Sequence, residues 1–128
     1  MSNTAVIGLG SNINPHANIP EAKQLISQKY KLLAESQFIV TKPIGADQQP
    51  DFINGALLIE TTSDIESLKK DLKQIEDALG RKREANKFAP RTIDLDIVVW
   101  NNKVVDQDFY HRDFLKQSTL QLIPHLKY

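Results

Sequence analysis

Asp94 and Asp96, within "APRTIDLDIVVW" (Ala89 to Trp100), are the residues of this sequence best placed to do chemistry. The run that carries them is apolar and reads as a strand, whose side chains alternate between two faces. Both carboxylates then point the same way, followed on that side by Val98 and Trp100, while Ile93, Leu95, Ile97 and Val99 form the opposite face. Aspartate is a poor strand former and like charges on one face repel, so something positive belongs between the two. Residues two apart on a strand face are separated by roughly 6.5–7 Å at Cα. The carboxylates can therefore converge on one Mg²⁺, or straddle two ions about 3.5–4 Å apart as two-metal phosphoryl chemistry uses. Simple pairing with neighbouring arginines is the competing account of the same two residues.

Arg81, Lys82, Arg83, Lys87 and Arg91 crowd the segment just before the strand. An acidic pair carrying metal beside such a segment suits a polyphosphate, because metals bridge phosphate oxygens while guanidinium groups neutralise developing charge. A solvated basic loop that neutralises the aspartates directly is the alternative. In "PDFIN", Phe52 and Asn54 share a strand face; the ring can stack on a flat heterocycle while the amide bonds its edge, or the pair can be core and strand edge. His111, in "YHRD", could meet a phosphate as a cation. "GLGSN" lacks the spacing of a phosphate-binding loop and reads as a plain turn.

These groups need a frame. Ala5 to Leu9 reads as a buried strand ending in a turn at Gly10-Ser11-Asn12. Asn18 can cap a helix with Pro20 in its first turn and Ala22, Leu25 and Ile26 at helical spacing. "LLAESQFIVT" is a second strand, "KPIGADQQP" a loop, and "DFINGALLIET" a third strand with Phe52, Asn54, Ala56 and Leu58 on one face. Ser63 and Glu66 suggest a capping box; Ile65, Leu68, Leu72, Ile75 and Leu79 recur at helical spacing until Gly80 stops them. The aspartate strand follows, then "NNKVV" as a turn and edge strand, then an irregular or weakly helical tail. The order β-α-β-β-α-β predicts an α+β chain with a ferredoxin-like core, an antiparallel sheet with helices packed on it.

The 128 residues suit one domain, 1–128, with a real core. Sixteen basic residues balance sixteen acidic ones, which argues against a global grip on nucleic acid or acidic membrane. No stretch reads as a membrane span or signal peptide, so the expected location is cytoplasmic. The absence of cysteine excludes disulfides, thiol catalysis and zinc–thiolate sites. Oligomeric state is open, with a monomer the default.

Taken together, "GLGSN", "TKPIGADQQPDFINGALLIET", "IEDALGRKRE" and "FAPRTIDLDIVVW" resemble the 6-hydroxymethyl-7,8-dihydropterin pyrophosphokinase family of folate biosynthesis, from Ala5 to about Val105. The most specific piece is the family's G-P-R-x-x-D-x-D, present as Ala89-Pro90-Arg91-Thr92-Ile93-Asp94-Leu95-Asp96. The resemblance implies a ferredoxin-like core with extra strands. It also implies transfer of the β,γ-pyrophosphoryl group of ATP to the pterin hydroxymethyl oxygen, with release of AMP. By the same resemblance Asp94 and Asp96 would ligate two Mg²⁺ ions, and Arg81 and Arg91 would grip the phosphates. Glu76, Arg83, Ile97, His111 and Arg112 would serve the nucleotide. Phe52 and Asn54 would hold the pterin, with Thr41, Pro43, Ile44 and Gly45 around it and Phe88 in the place of a closing loop tryptophan.

The sequence departs from the family in several places. Lys42 replaces the first of two prolines, and Tyr110-His111 stands for a "PH" pair. Counting back from Pro124, Leu120 falls where a second stacking aromatic is expected and Ser118 near a usual arginine, with Arg112 and Lys116 as available basic substitutes. Members of the family also continue beyond the position of Tyr128. These departures keep a second reading in view, a relative that binds a nucleotide or another heterocycle without this turnover. A ferredoxin-like RNA-binding module would want a basic sheet face, which the acidic strand denies it.

Overall fold

The computed structural model describes residues 2–43, 49–81 and 90–128. Among these residues six antiparallel strands form one sheet: β1 (Asn3–Ser11), β2 (Lys31–Glu35), β3 (Ile39–Thr41), β4 (Phe52–Thr61), β5 (Asp94–Trp100) and β6 (Lys103–Val104). The order across the sheet is β2-β4-β1-β5-β6, with β3 also on β4. Counting β2 and β3 as one interrupted strand, this is the ferredoxin-like arrangement predicted from the element order.

Helices α1 (Pro15–Lys29) and α2 (Ile65–Ala78) cover one face, where Ile7, Leu57, Ile59, Ile26, Leu68, Leu72 and Ile93 pack together. The other face is covered too. A short helix α3 (Asp108–His111) and the ten-residue α4 (Asp113–Leu122) close Val6, Ala56, Val98, Val99 and Phe109 into a second cluster. The expected weakly helical tail is thus a real layer, fixed by the apolar face it covers.

Four local expectations are corrected. "GLGS" is strand through Ser11, not a turn, because each of its residues pairs with β4. Helix α1 starts at Pro15 behind a left-handed Asn14, and Asn18 instead donates from Nδ2 to the Ile13 carbonyl at 2.6 Å. Helix α2 is capped by Asp64, whose Oδ1 accepts from the Ser67 N–H at 2.8 Å, so the cap lies one residue past Ser63. That bond holds the Asp64 carboxyl below its ordinary pKa. The strand from Leu32 to Thr41 is interrupted at Ser36, whose hydroxyl accepts from the Ala56 N–H at 2.8 Å in place of a backbone carbonyl.

Phe38, next to that break, lies over Gly55; a Cβ on Gly55 would come within 2.5 Å of the ring. Gly55→Ala must push the ring off the core, at an expected cost of about 1–3 kcal/mol. Denaturant unfolding with no measurable loss would show that Phe38 moves aside freely.

The largest departure from simple alternation is on β5. Its pairing with β1 slips one residue between Val6 and Ile7, leaving Val98 as an extra residue opposite no partner. Up to Ile97 the predicted faces hold. Beyond it, Val99 joins Val98 on the α4 side, and Trp100 packs on the α1/α2 side. The bulge lets Asp94 and Asp96 keep one face while the strand end fills the second core.

Candidate active site

The two aspartates leave the sheet beside two glycines. Gly10 lies between Asn54 of β4 and Asp94 of β5 in register, and Gly8 between Ala56 and Asp96. Neighbouring strands are about 4.8 Å apart, so a middle strand that contributes no side chain of its own lets the side chains beside it, Asn54 at Gly10 and Leu115 at Gly8, reach over the backbone toward the acids. A Cβ on Gly10 would sit 2.5 Å from Asn54 Oδ1. Asn54 is buried and donates from Nδ2 to Thr41 Oγ1, which turns its carbonyl oxygen over Gly10, and Phe52 approaches the same spot. Gly10→Ala should therefore displace the amide rather than the fold. If Asn54 reads the edge of a heterocycle, as the sequence predicts, the loss of about one hydrogen bond raises the KM for it roughly tenfold with little change in melting temperature. An unchanged KM would take Asn54 out of the binding site.

Asn12, at the end of the same motif, is 3% exposed. Its Nδ2 donates to Gln49 Oε1 at 2.8 Å, while its Oδ1 accepts from Arg91 N–H at 2.8 Å and its N–H donates to the Arg91 carbonyl at 3.1 Å. Asn12 thus ties the segments flanking both sides of the site. Nothing in its local sequence announces this, since its partners are 37 and 79 residues away.

The cationic side is built by the end of α2. Gly80 takes φ +87°, its N–H donates to Asp77 O and the Arg81 N–H donates to Glu76 O, both at 3.0 Å. This C-terminal turn directs the Arg81 side chain back across the helix end. Arg81 Nη1 reaches Glu76 Oε2 at 2.6 Å and Asp94 Oδ1 at 3.1 Å, and Arg91 Nη1 reaches Asp94 Oδ2 at 3.0 Å. Glu76, 3% exposed, also accepts from the Leu95 N–H at 2.8 Å. One buried carboxylate therefore fixes both the arginine and the start of the acidic strand.

Asp96 differs from Asp94: its carboxylate makes no hydrogen bond or ion pair with the described residues. Enclosure on the cleft floor, then repulsion from Asp94, Asp106 and Glu76, pushes its carboxyl up to about 8 against the pull of Arg81. Solvent reaches its outer side while protein crowds its inner side, so enclosure and repulsion both act upward and water weakens both. Among the described residues no three carboxylates or histidines form a metal cage. The donor set fits an ion that takes one or two carboxylates and completes its shell with ligand oxygens, as Mg²⁺ does with phosphates. Arg81 Nε, buried without an acceptor among the described residues, leaves one donor of that guanidinium uncommitted.

Two clefts meet at these carboxylates. One, of about 870 Å³, runs between α2 and β5, with Lys69, Lys70, Lys73, Arg81 and Arg91 on its cationic side. The other, narrower, lies under α4 and is lined by Gly8, Gly10, Asn54, Arg112, Phe114 and Ser118. Asp94, Asp96 and Asp106 line both.

Residues 6–124 match the family model for 7,8-dihydro-6-hydroxymethylpterin-pyrophosphokinase. The chain belongs to this family. Proteins named 2-amino-4-hydroxy-6-hydroxymethyldihydropteridine pyrophosphokinase from Haemophilus influenzae, Campylobacter jejuni and Bacillus subtilis are 35%, 36% and 35% identical to it. These matches cover 88%, 78% and 84% of this chain and 76%, 65% and 66% of the respective relatives. The chain thus spans about two thirds to three quarters of the relatives' length.

For a pyrophosphokinase of this family the predicted residues separate into groups. Arg81, Arg91, Asp94, Asp96, Glu76 and Ile97 all line the large cleft. Asn54 lines the narrow one, with Thr41 accepting from its amide and Phe52 beside Gly10, and Arg112 lines it while pairing with Asp108 at 3.7 Å. Pro43 is half-buried. His111 is exposed and lines neither cleft. Ile44, Gly45, Arg83 and Phe88 lie outside the described residues. The tail count needs correction: Leu120 packs into the core of the second face, whereas Phe114 reaches the cleft. Phe114 stands two residues past Arg112.

Proposed function

We infer that this chain transfers pyrophosphate from ATP to the hydroxymethyl group of 6-hydroxymethyl-7,8-dihydropterin and releases AMP, in folate biosynthesis. The observation that carries the reading is the placement of Asp94 and Asp96 at the junction of a cationic cleft and a cleft with the Asn54 amide and the Phe114 ring. A bond forms between the pterin hydroxymethyl oxygen and the β-phosphorus, and the hydroxyl proton passes to water; the bond from that phosphorus to the α,β-bridging oxygen breaks, and the oxygen leaves with AMP. The chemistry needs no side-chain nucleophile, so positioning and charge stabilisation carry it.

The nucleotide takes the α2–β5 cleft, with its phosphates toward Arg81 and Arg91. The pterin takes the α4 cleft, its edge read by Asn54 and its faces met by Phe52 and Phe114. Asp94 and Asp96 hold Mg²⁺, which when bound supplies charge neutralisation on the phosphate oxygens. Glu76 keeps Arg81 aimed at the acids. The test is AMP formation by the purified chain with ATP, Mg²⁺ and the pterin. AMP appearing only when all three are present supports the reading; ATP binding without pterin-dependent AMP would leave a nucleotide-binding relative.

A further inference from the structure

Helix α4 buries two neighbouring hydroxyls and pairs one of them. Thr119, fully buried, donates from Oγ1 to the Leu115 carbonyl one turn back at 2.8 Å. Ser118, 3% exposed, has no hydrogen-bond partner for its hydroxyl among the described residues. A helical serine can bond the carbonyl four residues back, as Thr119 does, and a buried hydroxyl left without a partner costs stability. Ser118 lines the narrow cleft, on the same face of α4 as Phe114 one turn earlier. Of the other polar groups on that cleft, Asn54 donates to Thr41 and Arg112 pairs with Asp108. The Ser118 hydroxyl is therefore an uncommitted neutral donor and acceptor on the cleft wall.

We propose that Ser118 is a specificity-determining residue of the α4 cleft: its hydroxyl hydrogen-bonds to a polar atom on the edge of a flat heterocycle seated against Phe114. The inference rests on the reading that the pterin takes this cleft, and it adds a second polar reader to Asn54. A ring with only carbon at that edge would leave the hydroxyl buried and unpaired, so the cleft favours a nitrogen-rich ring over a carbocyclic one of the same shape. A small residue would by itself let α4 pack closely on β4. Ser118→Ala keeps that size and removes only the hydroxyl, so it separates the two roles.

The test is steady-state AMP formation by the full chain, beside equilibrium binding of 6-hydroxymethylpterin read from its fluorescence. Ser118→Ala should raise the KM for the dihydropterin and the Kd for the oxidised pterin about tenfold, the order of one hydrogen bond. Its kcat and its KM for ATP should change less than twofold, because Ser118 does not line the α2–β5 cleft. Its melting temperature should be equal or higher, whereas loss of a structural hydroxyl would lower it. Thr119→Ser, which keeps the bond to Leu115, should leave both pterin constants within twofold. Unchanged pterin constants in Ser118→Ala, or a lower melting temperature with the KM for ATP raised alongside, overturn the assignment. Pterin-dependent AMP in the unaltered chain with an unchanged KM in Ser118→Ala would remove Ser118 and leave the function standing. Pterin binding that weakens tenfold in Ser118→Ala, in a chain that forms no AMP, would do the reverse. A chain that binds no pterin would overturn both.

Discussion

Replacing Asp96 by asparagine should lower pterin-dependent AMP formation on the order of 10³-fold, while raising the melting temperature of the metal-free protein at pH 8. The loss follows from the metal reading: a ligand worth several kcal/mol of transition-state stabilisation corresponds to about three powers of ten in rate. The gain follows from the company Asp96 keeps. Enclosure and the carboxylates of Asp94, Asp106 and Glu76 raise its carboxyl to about 8. The folded chain then holds that proton more tightly than the unfolded chain does. Between the ordinary carboxylate range and about 8, stability therefore falls as pH rises, and the ionised form costs stability above that window. The variant lacks this penalty. Its advantage in melting temperature should be absent below about pH 4, grow as the pH rises and level off above 8. Melts in chelator across that range test the sign, and turnover at saturating Mg²⁺ tests the role. Full activity in Asp96→Asn, or a melting difference independent of pH, would separate Asp96 from the site or from its neighbours.

Glu76→Ala should be the most destabilising single change at the site, lowering the unfolding free energy by about 3–5 kcal/mol, because it leaves partners buried without their charge. Glu76 is almost fully buried and joins three elements: it lies in α2, accepts from the N–H of Leu95 in β5, and holds Arg81 just past the helix end. Its loss takes the buried carboxylate from the Arg81 guanidinium, which keeps Asp94 at 3.1 Å, and leaves the Leu95 N–H without that acceptor. Glu76→Gln preserves an acceptor for Leu95 while removing the charge from Arg81. It should therefore keep more of the stability than the activity. Urea unfolding beside AMP formation resolves the two. A loss below about 1 kcal/mol in the alanine variant would mean that the junction is held by other contacts. Equal losses of stability and activity in the glutamine variant would deny Glu76 its part in aiming Arg81.

These expectations also mark where local sequence stops being informative. The helical stripe of Leu68, Leu72 and Ile75, the stop at Gly80 and the shared face of Asp94 and Asp96 were legible, because each depends on backbone periodicity within one element. The element order was enough for the ferredoxin-like arrangement, since few antiparallel topologies fit it. The resemblance of four stretches points to the family from sequence alone.

Other features belong to the tertiary structure alone. The bulge at Val98 depends on how β5 registers against β1, and it reassigns Val99 and Trp100 to opposite faces. Helix α4 gains its layer, and Phe114 its place at the cleft, from a sheet face assembled out of strands far away in sequence. Asn12 becomes a clamp only when Gln49 and Arg91 are brought to it. The cation between the aspartates was expected from charge repulsion, but local sequence could not say that Arg81 and Arg91 take one carboxylate and leave the other. Periodicity fixes which way a side chain points; what it meets there is decided by register and packing across the whole chain.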